Sequence, residues 1–288
     1  MATNWMIVLG ALAVIGFLLD REIYFYEGTH LGPRLQAWLY DRWSRKYDEG
    51  KRASQLQDDE MLVRPLLEAL HDVPEPFILD FATGTGRLSS ALLNRAEFKG
   101  QIIALDLSQG MLEQAAAKLR SAVFSGQEST VRQLNVRVEL LRHLALPLPF
   151  PDSTFDAVCA LEVLELFPGM EEPLAELTRV LRPGGILLTS RGTEESGRKA
   201  KVKGIQTFTA LLEKHGLERV QVTKWWKYFD RVIAIKHGKS QPVTRKGLSN
   251  VLRCSICQSS GWFKESDRLR CQNCRKELSI TKEGIVLN

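Results

Sequence analysis

Cysteine is scarce in this 288-residue sequence, which contains only five. Four of them, Cys254, Cys257, Cys271 and Cys274, fall within 21 residues near the C-terminal end. This clustering favours a metal site over a disulfide framework. The rest of the composition, with 44% hydrophobic and 25% charged residues, is ordinary for a folded chain. The length allows one ample α/β core with a small attachment.

Long apolar runs are also scarce, and the clearest is Trp5–Leu19, fifteen residues without a charge. As a helix this run spans about 22 Å, less than the roughly 30 Å of bilayer hydrocarbon. No Lys or Arg precedes it and no small-residue cleavage site follows it, which disfavours a cleaved signal peptide. We therefore predict a single-pass membrane anchor at residues 1–22. A cleaved signal and a helix buried against the rest of the chain are the alternatives.

The charges around this run predict its orientation. Basic residues follow the run, starting with Arg21 and Arg34, and none precedes it. Positive flanks tend to stay in the cytoplasm, so the remainder of the chain is expected there.

The most informative segment is Ile78–Ser89. The apolar run 77–81 predicts a buried parallel strand, and a loop containing Gly84 and Gly86 leads from it into a helical pattern. Such a loop lets backbone N–H groups approach a ligand closely. A second predicted strand, 101–106, ends in Asp106, whose carboxylate can accept hydrogen bonds from a ribose. The pattern indicates a nucleoside cofactor, although NAD enzymes use a similar turn.

Two later motifs narrow the choice of cofactor. Residues 148–156 read Leu-Pro-Phe-Pro-Asp-Ser-Thr-Phe-Asp, and residues 179–185 read Arg-Val-Leu-Arg-Pro-Gly-Gly. With the first two motifs, they resemble the class I S-adenosylmethionine-dependent methyltransferases over roughly residues 40–237. The resemblance implies an α/β fold with a seven-stranded Rossmann-like sheet. It also implies a set of S-adenosylmethionine-binding residues: Asp80, Ala82, Thr83, Gly84, Gly86, Asp106, Leu107, Met111, His143, Leu144 and Ala160.

The sequence departs from similar methyltransferases around two strands. Those proteins place an Asp four residues before the Leu-Pro-Phe segment to bind adenine, whereas this chain has Leu144 there, beside His143. Backbone contacts or His143 are expected to serve instead, and Met111 packs either on adenine or in the core. Residues 155–161 predict a fourth strand, and after it Glu162 and Glu165 lie where similar methyltransferases have a His-containing stretch. Either Glu could act as a general base, and the alternative is a solvated or salt-bridged carboxylate.

A helical pattern at residues 35–52 mixes aromatic and charged residues. In similar methyltransferases such a helix roofs the cofactor, with a tyrosine like Tyr47 near the sulfonium. An amphipathic helix lying on a membrane surface is the alternative.

The cysteines form two Cys-x-x-Cys pairs separated by thirteen residues. Two such pairs supply the four thiolates of a structural zinc site, with a redox dithiol or a rubredoxin-type iron site as alternatives. The surrounding pattern, 252–287, resembles the small zinc-ribbon activators of methyltransferases that act on tRNA and release factors. The resemblance implies that this module either stabilises the methyltransferase or helps it meet its substrate.

These features predict an anchor at 1–22, a helical lead-in at 23–75, a methyltransferase domain at 76–237, a linker at 238–250 and a zinc ribbon at 251–288. The anchor favours a lipophilic acceptor such as a quinone or lipid. The ribbon favours RNA or protein, because residues 239–288 contain ten Lys or Arg and four Asp or Glu. A non-catalytic cofactor-binding scaffold is a third possibility, which the intact glycine loop and Asp106 disfavour.

Overall fold

Helices and strands alternate along most of the chain. The computed structural model describes residues 2–124, 138–196, 202–244 and 246–288. The described strands are β1 Phe77–Phe81, β2 Gln101–Asp106, β3 Val138–Arg142, β4 Phe155–Ala160, β5 Leu181–Gly192, β6 Leu217–Trp226, β7 Phe229–Lys236, β8 Trp262–Lys264, β9 Arg268–Cys271, β10 Glu277–Ser279 and β11 Ile285–Leu287. The described α-helices are α1 Ala2–Asp20, α2 Pro33–Gln55, α3 Arg64–Ala69, α4 Arg87–Leu93, α5 Gln109–Phe124, α6 Glu171–Val180, α7 Ile205–Lys214 and α8 Leu248–Val251. Two π-helical segments, Arg21–Phe25 and Asp59–Val63, and the 3-10 turn Leu164–Leu166 complete the set.

One large sheet organises the fold, with strand order β11-β3-β2-β1-β4-β5-β7-β6. Strands β1 to β5 run parallel and β7 is antiparallel to β5. The predicted Rossmann-like sheet is therefore confirmed. The patterns of residues 220–226 and 231–236 predict a hairpin, and β6 and β7 form it. The eighth strand, β11, comes from the cysteine-rich segment and was not predicted. The alternating pattern of residues 136–141 predicts the third strand, which begins at Val138 in the structure, and positions 136 and 137 lie outside the described residues.

Strand β1 is apolar because both faces of the sheet are covered. All five of its residues are buried, and alternate side chains enter two separate cores. Phe77, Leu79 and Phe81 belong to one core and Ile78 to the other. The strand order reverses between β1 and β4, and the carboxyl ends of parallel strands at such a point open a crevice for ligands.

The cysteine-rich segment packs onto this sheet. Strands β8, β9 and β10 form a small antiparallel sheet, and Trp262 and Leu269 share a buried cluster with Phe155 of β4. The Trp262 indole Nε1–H donates to the carbonyl of Leu252 at 2.7 Å. Strand β11 then pairs in parallel with β3 at the edge of the large sheet. The small sheet and the large one therefore share one continuous apolar core.

Helix α1 covers most of the predicted anchor at residues 1–22. In the part of the chain that the structure describes, no helix is long and apolar enough to cross a membrane. This finding does not support the predicted transmembrane helix or the single-pass membrane localisation that depended on it. The large apolar side chains from Val8 to Leu19 are exposed, so this part of α1 is not buried against the described residues.

Candidate active site

A cavity of about 570 Å³ lies where the loops after β1, β2, β3 and β4 meet. Its volume is in the range of small-molecule sites in proteins. One group of lining residues follows the strand ends and includes Gly84, Asp106, Leu107, Met111, His143 and Leu144. A second group is largely apolar or aromatic and includes Pro33, Tyr40, Phe81, Leu166, Phe167 and Pro168. The cavity therefore combines polar positions suited to a nucleoside with an apolar wall.

The loop after β1 adopts left-handed backbone conformations, with φ of +54° at Ala82 and +56° at Gly84. A Cβ atom built on Gly84 meets no atom of the described residues within 4 Å, so this glycine leaves its backbone open to the cavity. A Cβ on Gly86 would lie 3.0 Å from the Cβ of Ala115 in α5, and Gly86 does not line the cavity. Gly84 thus suits ligand approach, whereas Gly86 lets the start of α4 pack closely on α5.

Asp106 lies at the end of β2 and lines the cavity. Its Oδ2 accepts a hydrogen bond from the Gly84 N–H at 2.8 Å, and its Oδ1 accepts one from the Ser108 N–H at 2.9 Å. Burial raises the pKa of Asp106 to about 6, because the charged form loses its hydration. The two backbone donors act in the opposite direction and orient the carboxylate, as a ribose-binding residue requires.

Four of the predicted cofactor residues, Asp80, Thr83, Gly86 and Ala160, do not line this cavity. The buried Asp80 accepts hydrogen bonds from the hydroxyls of Thr83 at 2.7 Å and Ser89 at 2.6 Å. Ala160 is fully buried in β4, and its carbonyl accepts from the Thr189 hydroxyl at 2.7 Å. Asp80 and Thr83 border a smaller neighbouring pocket, so their contribution here is to hold the glycine loop in shape.

Helix α2 covers the cavity. Tyr40 and Tyr47, seven residues apart on this helix, both line it, and burial raises the pKa of each phenol. The Asp41 carboxylate fixes the helix by accepting from the Ser108 hydroxyl at 2.6 Å and from the Gly110 N–H at 2.8 Å. Asp48 accepts from the Thr85 hydroxyl at 2.6 Å. These contacts correspond to the roof predicted for residues 35–52.

The two glutamates that follow β4 occupy different environments. Glu162 lines the cavity with φ of +55°, but its carboxylate pairs with Lys51 and with Arg87, the latter at 3.1 Å. Glu165 is buried away from the cavity lining, where it accepts from the Gly192 N–H at 2.7 Å, and burial raises its pKa. Glu162 therefore corresponds to the salt-bridged alternative, and the position of Glu165 does not suit a base acting in this cavity.

The segment before α2 contributes cavity residues that the sequence did not indicate. Thr29 and His30 line the cavity, and the Thr29 hydroxyl donates to the Leu166 carbonyl at 2.9 Å. The Glu22 carboxylate accepts from the His30 N–H at 2.9 Å and contacts its Nδ1 at 3.0 Å. No local motif marks these residues, because Thr29 and Leu166 are 137 positions apart.

The four clustered cysteines come together in the small sheet. Their sulfur atoms all lie within 4.8 Å of one another, with Cys254 to Cys274 at 3.4 Å and Cys257 to Cys271 at 3.7 Å. Tetrahedral Zn–S bonds of about 2.3 Å would separate sulfurs by about 3.8 Å. The cluster is thus compatible with zinc, and it consists of the four cysteines that the sequence predicts as ligands.

The fold and cavity define an α/β protein with a cavity suited to a nucleoside cofactor beside an apolar wall. Residues 79–189 match the family described as "Methyltransferase domain". A Methanococcus maripaludis structure named for an S-adenosyl-L-methionine-dependent methyltransferase superposes with a TM-score of 0.53 at 16% identity. It covers 69% of this chain and 94% of that one. The superposition supports the fold alone.

Curated relatives are closer in sequence. The demethylmenaquinone methyltransferase of Lactobacillus johnsonii is 30% identical over 180 residues, which are 60% of this chain and 70% of that protein. The demethylmenaquinone methyltransferase of Lactiplantibacillus plantarum is 31% identical over 150 residues, which are 52% of this chain and 59% of that protein. This chain belongs to the class I S-adenosylmethionine-dependent methyltransferases. It spans 59% of the length of the Lactiplantibacillus relative. The family match ends before the cysteine-rich segment, so the resemblance to zinc-ribbon activators stays a prediction.

Proposed function

We propose that this protein transfers a methyl group from S-adenosylmethionine to a lipophilic, quinone-type acceptor. The observation that carries the proposal is the single cavity that joins the Gly84–Asp106 wall to the apolar wall around Phe81 and Phe167. The rings of Phe81 and Phe167 stack with centroids 6.2 Å apart, which suits a flat aromatic acceptor. The names of the demethylmenaquinone methyltransferase relatives support the same acceptor class.

The residues present fit the cofactor. The open backbone at Gly84 leaves room where a side chain would project, and the Asp106 carboxylate can accept from ribose hydroxyls. Tyr40 and Tyr47 offer aromatic faces that attract a cationic centre. When bound, S-adenosylmethionine supplies a methyl group on a positively charged sulfur. The protein's main contribution is then to align acceptor and methyl group and to exclude water.

His30 is suited to take the proton that the acceptor loses when its carbon gains the methyl group. The Glu22 carboxylate contacts Nδ1, which leaves the lone pair of Nε2 as the basic position. About half of the His30 side chain is exposed, so the proton can pass on to water. We expect His30→Gln to lower turnover while leaving cofactor affinity unchanged.

We also propose that Cys254, Cys257, Cys271 and Cys274 hold a structural zinc ion. Four thiolates satisfy a tetrahedral ion and leave no open position for chemistry. The sulfur separations support this assignment.

RNA or protein as acceptor stays a prediction drawn from the basic C-terminal segment. Several of its basic side chains are paired with acids: Arg268 and Arg270 both contact Glu277, at 3.1 and 3.0 Å. Lys246 contacts Glu75 at 3.4 Å. Such pairing reduces the positive field available to a polyanion, which favours the lipophilic acceptor.

A labelled-methyl assay tests the acceptor class. Full-length protein is incubated with methyl-labelled S-adenosylmethionine and, separately, a reduced demethylmenaquinone, bulk tRNA and a soluble protein fraction. We expect label in the quinol and none with Gly84→Val, the matched control. Label confined to RNA or protein would overturn the acceptor. Cofactor binding without transfer to any pool would favour a non-catalytic scaffold.

A further inference from the structure

The last strand of the cysteine-rich segment reaches the wall of the cofactor cavity. Strand β11 pairs in parallel with β3, with Leu287 opposite Arg142, and the Asn288 N–H donates to the Arg142 carbonyl at 3.1 Å. This register puts Asn288 beside His143, the residue that follows β3 and lines the cavity. Asn288 itself does not line the cavity.

Two contacts fix the imidazole of His143. Its Nδ1 lies 3.1 Å from the side-chain Nδ2 of Asn288, and its Nε2 lies 3.1 Å from the carbonyl of Pro147. An amide nitrogen can only donate and a carbonyl can only accept. Both contacts are therefore hydrogen bonds in one ring tautomer, with the proton on Nε2 and a lone pair on Nδ1.

The backbone places this ring next to the cofactor residues. The His143 N–H donates to the carbonyl of Asp106 at 3.0 Å, so the two cavity residues are joined through their main chains. The Arg142 guanidinium donates to the carbonyl of Leu107 at 3.3 Å. Burial lowers the pKa of His143, so the ring is neutral near pH 7. A small rotation of this ring changes the surface on which the nucleoside would rest.

We propose that Asn288 is a positioning residue for the cofactor cavity: its side-chain amide holds His143 in one tautomer and one orientation. The proposal rests on the proposed cofactor site. It gives the cysteine-rich segment a role beyond packing, because the strand that carries Asn288 extends from that segment to the sheet edge. Cofactor affinity then depends on a residue that does not touch the cofactor.

The test compares Asn288→Leu with Asn250→Leu in the full-length protein. Asn250 is an exposed residue of α8 whose amide donates to the nearby Lys246 carbonyl. Calorimetry with S-adenosylhomocysteine should give a dissociation constant raised about three- to tenfold for Asn288→Leu, the equivalent of one lost hydrogen bond. Asn250→Leu should leave it unchanged. In a His143→Ala background, Asn288→Leu should have no further effect.

Nitrogen NMR of the histidine side chains provides a second readout. We expect His143 to carry its proton on Nε2 in the wild type and to lose this preference in Asn288→Leu. An unchanged dissociation constant together with an unchanged tautomer would overturn the proposal, as would a full effect in the His143→Ala background. If the wild type binds no cofactor, the proposed function fails, and the tautomer alone decides the positioning role.

Discussion

Two glycines separated by one residue illustrate how site and fold requirements differ at the residue scale. Gly84 has open space where a side chain would project, whereas Gly86 has Ala115 at 3.0 Å from its built Cβ. Both have positive φ, so any L-residue is strained at either position. The difference between them lies in what the added side chain would meet.

We therefore expect Gly84→Val and Gly86→Val to fail in different ways. Gly84→Val should retain a cooperative thermal transition but lose S-adenosylmethionine binding, because the valine occupies the ligand's space. Gly86→Val should lower the melting temperature strongly, since α4 and α5 must separate to accommodate it. Calorimetric titration and thermal denaturation of both variants check this. Normal cofactor binding by folded Gly84→Val would show that the site is misplaced.

Asp106 predicts a pH dependence of cofactor binding. Its pKa is raised to about 6 by burial, so the carboxyl group becomes protonated as the pH falls through that value. Ribose hydroxyls donate to the charged form, and affinity should therefore weaken as the pH is lowered from 7 to 5. The effect on folding stability has the opposite sign. Because the pKa of Asp106 is raised in the native state, this group stabilises the native state below about pH 6, and the stabilisation is lost as the pH rises through that value.

Asp106→Asn is the matched variant. It should bind the cofactor more weakly, by about 1.5–3 kcal/mol, because a hydrogen bond to a charged acceptor is lost. Its affinity should also be flat between pH 5 and 7. Titrations at several pH values measure both effects, and an unaltered pH profile in Asp106→Asn would assign the titration to another group.

At the element scale, the roof helix α2 depends on carboxylates that reach across to neighbouring elements. Asp41 accepts from Ser108 and Gly110 at the start of α5, and Asp48 pairs with Lys118 at 2.8 Å further along that helix. The Lys51–Glu162 pair joins α2 to the loop after β4. These contacts hold Tyr40 and Tyr47 over the cavity.

Removing one of these ties should loosen the roof. Asp41→Ala deprives the first turn of α5 of its acceptor, a loss of about 0.5–2 kcal/mol. We expect faster hydrogen exchange along α2 and weaker cofactor binding. Glu49→Ala, an exposed carboxylate on the same helix, is the control and should change neither. Equal exchange rates in Asp41→Ala and wild type would mean that packing alone holds the roof.

The elements that the sequence predicted correctly are those encoded by local patterns. The apolar run of β1, the glycine loop and Asp106 at the end of β2 are contiguous in sequence, so periodicity and turn chemistry identify them. Strand β11 has only three residues, too few for a period-two pattern, and its partner β3 is far away in sequence. The Lys51–Glu162 pair spans 111 positions, and only the tertiary fold brings it together. The apolar run of α1 cannot be assigned from sequence alone, because its length lies between that of a buried helix and that of a membrane span.

At the scale of the whole molecule, the small sheet and the methyltransferase sheet are one body of packed side chains. Leu252, Trp262 and Leu269 are buried in the cluster that contains Phe155 and Leu177. Strand β11 also covers the β3 edge that would otherwise be exposed. Loss of the cysteine site should therefore affect the whole protein.

Cys274→Ser should lower the melting temperature of the entire chain and abolish binding of the proposed zinc ion. The free energy of zinc ligation, about 10–16 kcal/mol in small zinc-binding peptides, contributes to folding only while four thiolates are present. Cys159→Ser, at a buried cysteine in β4 outside the cluster, should retain the metal. Metal analysis and thermal denaturation of both variants provide the measurements. A metal-free wild type, or a chelator that leaves its melting temperature unchanged, would contradict the zinc assignment.

The most direct test of the account is the kinetics of a variant in the apolar wall of the shared cavity. In Phe167→Gln, kcat/KM for a reduced demethylmenaquinone should fall about tenfold, because the acceptor loses an aromatic partner worth about 0.5–1.5 kcal/mol and meets a polar group. The dissociation constant for S-adenosylmethionine should stay within about twofold of wild type. Phe263→Gln, at an exposed phenylalanine of β8, is the matched control and should alter neither value. An unchanged kcat/KM in Phe167→Gln, or no transfer to the quinol by the wild type, would contradict the proposal that the cavity holds cofactor and acceptor side by side.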